Sequence, residues 1–112
     1  MKVNLKRPFV DNGGRVVCEK LYGQVQETSI GRQVSKILFT LSPLGGVPLD
    51  AEQNYEAYAL CQRITANPEE VELTAEEIVF LKKVCGEQLS AGAYGQVDDI
   101  LENKVNHLYQ TL

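Results

Sequence analysis

Val71-Glu72-Leu73-Thr74-Ala75-Glu76-Glu77-Ile78 carries a helix start in its spacing. The Thr74 side chain can accept from the backbone N–H groups of the first turn. Glu77, three residues on, can reach back to the N–H of Thr74, and Leu73 is placed to staple against Ile78. Val71 to Leu73 reads as a short extended lead-in. Beyond it, Ile78, Leu81, Val84 and Cys85 fall on an inward face and Glu76, Lys82 and Lys83 on an outward one, which predicts a helix over 74–88.

The same punctuation recurs on either side. Asp50 with Gln53 makes a second capping pair and opens a helix over 50–66, closed by Asn67-Pro68. Its apolar residues, among them Tyr55, Tyr58, Leu60, Cys61 and Ile64, wrap widely around the axis, which predicts the central and most buried helix. Upstream, Ile30, Val34, Ile37, Leu38 and Leu41 form one stripe of a helix over 28–41. It opens at Thr28 or Ser29 and ends before Pro43, which disfavours helical geometry in Ser42. Downstream, Tyr94, Val97, Leu101, Val105 and Leu108 predict a helix over 91–109, with Asp98, Asp99 and Glu102 exposed near its start.

Residues 1–26 have the other period. Lys2-Val3-Asn4-Leu5 alternates, and Phe9-Val10 and Arg15 to Cys18 flank Asp11-Asn12-Gly13-Gly14, a hairpin with Asn12-Gly13 as its left-handed turn. Tyr22 and Val25 extend its second strand as far as Gln26. The chain therefore reads as a single domain over residues 1–112, mainly α within an α+β class, with about four helices and a small N-terminal β-hairpin.

Composition narrows the functional classes. Cys18, Cys61 and Cys85 are odd in number, far apart and without a Cys-x-x-Cys pair, which argues against a disulfide framework or a zinc site and fits reduced thiols in a cytoplasmic setting. The N-terminal cations precede no apolar run of signal length, and no stretch approaches a membrane span, so no membrane partner is expected. The net charge of −4 hides an asymmetry. Residues 1–36 carry seven Lys or Arg against three acids, and residues 37–112 carry four against twelve. Such separation steers association, head-to-tail self-association included, or is an ordinary solvated surface.

Catalytic, metal and cofactor constellations do not assemble from the spacing, and none is assigned. His107 is the one histidine and has no Ser or Cys nucleophile near it in sequence. The adjacent carboxylate pairs point about 100° apart on a helix. No Gly-Lys-Ser/Thr follows Gly13-Gly14, Gly45-Gly46 or Gly92 and Gly95, so there is no P-loop. Two surface features remain as candidate protein interfaces. One is the uncharged loop holding Leu44, Val47 and Leu49, which either tucks onto the core or is a contact surface; the other is an acidic patch of Glu69, Glu70, Glu72, Glu76 and Glu77. For an anion or nucleic acid the candidates are Arg7, Phe9 and Arg15, although the overall negative charge argues against nucleic acid.

The strand Lys2-Val3-Asn4-Leu5, the turn at Asp11 to Gly14, the block from Val71 to Ile78 and the run Gly95-Gln96-Val97-Asp98-Asp99-Ile100-Leu101-Glu102 resemble small accessory proteins of tailed phages and prophages. The resemblance covers about half the chain and implies a context, an accessory protein acting by binding in a bacterial cytoplasm. It carries over no activity and no functional residues. The expectation is a non-enzymatic protein that binds itself, as a homo-oligomer, or a host protein, as an inhibitor or adaptor; the alternative is a small-molecule or nucleic-acid binding module using the N-terminal basic region.

Overall fold

The computed structural model describes residues 1–41 and 46–103. Among them four helices carry the fold: α1 (Ile30–Phe39), α2 (Ala51–Ala66), α3 (Ala75–Gln88) and α4 (Ala91–Leu101). Four short strands accompany them: β1 (Lys2–Val3), β2 (Cys18–Leu21), β3 (Gln24–Glu27) and β4 (Val71–Glu72). The class is mainly helical α+β.

Each helix starts where a side chain can satisfy the first-turn N–H groups. The Ser29 and Ser90 hydroxyls accept from Arg32 N–H and Ala93 N–H. Asp50 with Gln53, and Thr74 with Glu77, form complete capping boxes; Glu77 Oε1 accepts from Thr74 N–H at 2.9 Å. At the other end α4 stops at Leu101, with Glu102 as its cap and Asn103 in left-handed geometry, so it does not run unbroken to 109. Residues 104–112, including His107, lie outside the described residues.

The N-terminal ribbon differs from the sequence reading. The turn at Asp11 forms, with Asp11 Oδ1 accepting from Gly13 N–H and Arg15 N–H, but the positive φ falls on Gly14 and the flanking segments make only the Val10–Val16 bridge. The ladder proper lies further on. β2 and β3 pair antiparallel, and Tyr22 and Gly23, both at positive φ, reverse the chain where a continuing strand was expected. The expectation missed this turn because an aromatic is a poor left-handed residue. β1 finds its partner elsewhere, pairing antiparallel with β4 in the register Lys2↔Glu72 and Val3↔Val71.

The segment after β1 is threaded tightly past α1. Leu5 N–H donates to Pro68 C=O at 2.7 Å, Gly31 N–H to Leu5 C=O at 2.8 Å and Ile30 N–H to Arg7 C=O at 2.8 Å. Glycine at position 31 suits this approach, since a Cβ there would stand 3.2 Å from Leu5 O and 3.3 Å from Pro68 Cβ, tighter than ordinary contact. Thr28 joins three strands of chain: its hydroxyl accepts from Phe9 N–H at 2.9 Å and donates to Val17 C=O at 2.8 Å.

One buried cluster draws on all four helices, β1, β4 and the N-terminal segment, with Leu5, Ile30, Leu60, Ile64, Leu73, Leu81 and Leu101 fully buried. Burying side chains of this size contributes roughly 1.5–3 kcal/mol each. The most buried helix is α1, which packs against both α2 and α3, and not α2 as its wrapped apolar pattern predicts. Half of α1 is buried, whereas α2 buries Ala57, Leu60, Cys61 and Ile64 and turns Tyr55 and Tyr58 outward. Tyrosine tolerates this because its ring and hydroxyl suit a half-wet boundary.

Candidate functional site

Packing α1 against α2 leaves an open groove between them, formed by residues at helical spacing on both sides. Arg32, Ser35, Lys36 and Phe39 contribute from α1, and Tyr58, Cys61, Gln62 and Thr65 from α2, around a volume of about 810 Å³. Small side chains make the floor. Ser35 Oγ lies 2.8 Å from Thr65 Oγ1 and 3.1 Å from Cys61 Sγ, so hydroxyls and a thiol pin the two helices together. Aromatic rings stand on the walls. Phe39 is 68% exposed, and Tyr58 is 44% exposed with its hydroxyl accepting from Gln62 Nε2 at 3.0 Å. The Tyr55 ring sits 6.1 Å from that of Tyr58 in a tilted pair.

Past Arg32, Ser35 and Thr65 the groove continues into a second concavity of about 510 Å³, between α1, the Lys6–Pro8 segment and Pro68. Its charged lining is Lys6, Arg7 and Arg32 against Glu27. Arg32 also has a structural task, pairing with Glu19 and donating to Glu27 C=O at 3.2 Å, which holds the β2–β3 ribbon to α1. Lys6 Nζ lies 3.0 Å from Glu69. The aromatic side chains line the α1–α2 part alone, and of the cations along the two concavities Lys6 and Arg32 are already paired with Glu69 and Glu19.

The acidic patch read from sequence is largely tied into the fold. Glu69 pairs with Lys6, and Glu72 with the Met1 ammonium at 3.0 Å. Arg63 Nη1 donates to both Glu77 oxygens, at 2.9 and 2.8 Å, and to Glu72 C=O. Burial works to raise the Glu77 carboxyl, but the Arg63 guanidinium and the Thr74 N–H outweigh it and hold the group below the ordinary glutamate value. Asp98 and Glu102 both reach Lys82. Glu70 and Glu76 stay exposed at the surface.

The remaining expected positions scatter. Val47 is 66% exposed, Leu49 packs onto the core cluster, and Leu44 lies outside the described residues. Arg7 and Arg15 are exposed, but Phe9 is buried in the core, so its ring offers no stacking surface. Cys85 is wholly buried and burial pushes its thiol up to about 12, which makes it inert. Among the described residues no group of three or more His, Cys, Asp or Glu is placed to hold a metal ion, and no helix is long and apolar enough to cross a membrane.

The sequence pattern assigns no site role to Arg32, Lys36 or Phe39 and reads Tyr58 as part of the wide apolar face of the second helix. A signal was present in Phe39, an aromatic off the apolar stripe of its helix. Comparison with family models, curated proteins and solved structures finds no match to this chain.

Proposed function

We propose that this chain is a non-enzymatic accessory protein that works by binding another protein, and that the α1–α2 groove is the face it uses. The observation that carries the reading is Phe39, a large ring left two-thirds exposed that lines, with Tyr58, the open groove between α1 and α2. Aromatic and arginine side chains around a concavity are the composition that concentrates binding energy at protein interfaces. A phage or prophage setting rests on the resemblance alone. Self-association and a host protein are the two partner classes; native mass spectrometry with and without host extract separates them.

The decisive test places a photo-crosslinking phenylalanine analogue at Phe39 and, in a separate variant, at Lys83 on the outward face of α3. Crosslinks to one discrete protein or to a second copy from position 39, and none from position 83, support the groove. Crosslinks from position 83 alone remove it.

A second reading, an anion-binding module, would use Arg7 in the adjoining concavity, where Lys6 and Arg32 already pair with Glu69 and Glu19. Phosphate contacts would make its affinity fall steeply with salt, so an oligonucleotide titration at two ionic strengths tests it.

A further inference from the structure

We propose that the outer edge of β2 pairs antiparallel with β2 of a second copy of this chain, in a register centred on Val17. This face is separate from the α1–α2 groove and does not depend on it. Backbone direction identifies the edge. Arg15 C=O accepts from Asp11 N–H, Val17 N–H donates to Phe9 C=O, and Val17 C=O accepts from Thr28 N–H, so Arg15 and Val17 turn their backbone groups to one side. The period of two and the β2–β3 register carry Glu19 and Leu21 to that side as well. Val16, Cys18 and Lys20 therefore present N–H and C=O on the other side, where none of the described residues bonds them. Cys18 and Lys20 are exposed, and Val16 is half-buried. The outer edge of β3 is the poorer one, because there Glu27 C=O already accepts from Arg32 at 3.2 Å.

A row of unpaired backbone donors and acceptors at strand spacing takes an extended chain, and a two-stranded ribbon gains by joining a wider sheet. The side chains say which chain. Pairing about a two-fold axis must match outward residues with outward residues, which leaves registers centred on Val17, Cys18 or Glu19. Centring on Glu19 sets two carboxylates face to face, and centring on Cys18 sets Glu19 against Val17 and Lys20 against Val16. Centring on Val17 sets that side chain, 36% exposed, against its own copy and Arg15 against Glu19 at both ends. Lys20, a residue that on an edge opposes indiscriminate pairing, then falls opposite Gly14, which has no side chain to meet it. Glu19 holds Arg32 through Oε1 alone, which leaves its second oxygen for Arg15 of the other copy. Arg15 is exposed, with Asp11 near it but no salt bridge among the described residues. In this register Val16 and Cys18 of each copy exchange backbone hydrogen bonds.

Disulfide trapping reads the register. Cys18→Ser combined with Val17→Cys puts one exposed thiol per chain at the two-fold axis, in a non-hydrogen-bonded pair whose side chains come close enough to bridge. In a glutathione redox buffer at about 100 μM protein, this variant should form covalent dimer at least tenfold faster than Cys18→Ser with Val25→Cys on β3. It should also outpace the parent, which can bridge through exposed Cys18, by at least tenfold. Replacing Cys18→Ser by Cys18→Pro in the Val17→Cys chain removes an outward N–H that the β2–β3 ladder does not use, and should slow bridging tenfold; circular dichroism and the urea midpoint show that it folds. Faster bridging of the parent overturns the Val17 register in favour of one centred on Cys18. Equal rates from positions 17 and 25 mean random collision and overturn edge pairing. Sedimentation velocity of the reduced parent up to about 1 mM should show a concentration-dependent dimer, and a parent that stays monomeric overturns the proposal whatever the proline variant does. None of these failures touches the α1–α2 groove, which crosslinking from position 39 tests by itself.

Discussion

Replacing Gln96 by leucine should destabilise the chain by about 3 kcal/mol, although the change adds apolar surface to a buried position. Gln96 is 4% exposed. Its Oε1 accepts from Val10 N–H at 2.9 Å and its Nε2 donates to Val10 C=O at 2.9 Å and to Gly92 C=O at 3.0 Å, so one side chain ties the N-terminal segment to α4. Leucine leaves the Val10 N–H and C=O buried without partners at roughly 1–3 kcal/mol each. The leucine burial returns about 1 kcal/mol of that. Urea unfolding by circular dichroism reads the difference directly, and the melting temperature should fall by about 4 °C per kcal/mol. Gln62→Leu, at an exposed position, should stay within about 0.5 kcal/mol of the parent. Gln96→Glu adds a pH signature. The carboxylate can still accept from Val10 N–H but cannot donate to Val10 C=O; only the protonated acid reproduces that bond. The folded pKa of the introduced acid is therefore raised above the unfolded value of about 4.3. Its stabilising form is fully present below that value and is lost as pH rises through the folded pKa. Gln96→Glu should thus approach the parent near pH 4 and fall behind it at pH 7. A Gln96→Leu midpoint matching the parent, or a Gln96→Glu stability that parallels the parent across that range, would refute the reasoning.

Gly31→Ala should cost about 1–2 kcal/mol despite alanine's better helix propensity, because the new Cβ meets the Leu5 carbonyl and Pro68; a rise in the urea midpoint would show that the segment yields. Glu77→Gln keeps a residue able to complete the Thr74 capping box but loses the charge facing Arg63, for about 1 kcal/mol at pH 7. Because the folded Glu77 carboxyl is held low, its contribution is present above the unfolded glutamate value and lost as pH falls through the folded pKa, so the variant and parent should converge in acid. Divergence toward low pH would contradict that sign. Native alkylation followed by mass spectrometry should modify exposed Cys18 quickly and leave Cys85, whose thiol is pushed up to about 12, unmodified until urea unfolds the chain.

The groove was harder to read than the helices that make it. Phe39 and Lys36 are visible as outward positions of α1, but that they line one groove with Tyr58 depends on how α1 and α2 cross. The acidic patch illustrates the reverse case. Glu69, Glu72 and Glu77 cluster in sequence, and the fold brings Lys6, the Met1 ammonium and Arg63 to them from distant positions. A run of like charge in a sequence is therefore no measure of free charge at a surface.

What the sequence determined by itself is the set of helix starts at Asp50 and Thr74, the helix end at Asn67-Pro68 and the mainly helical class. These rest on bonds between a side chain and a backbone N–H within three residues, and on apolar spacing along one helix, so every partner lies inside the stretch being read. Only the tertiary structure decided that β1 pairs with β4, that α1 and not α2 is the most buried helix, that Gln96 is buried against Val10, and that Phe39 and Tyr58 share a groove. Each of these joins segments far apart in the chain, where the gain appears only after the intervening loop has closed and depends on what every other element has already covered.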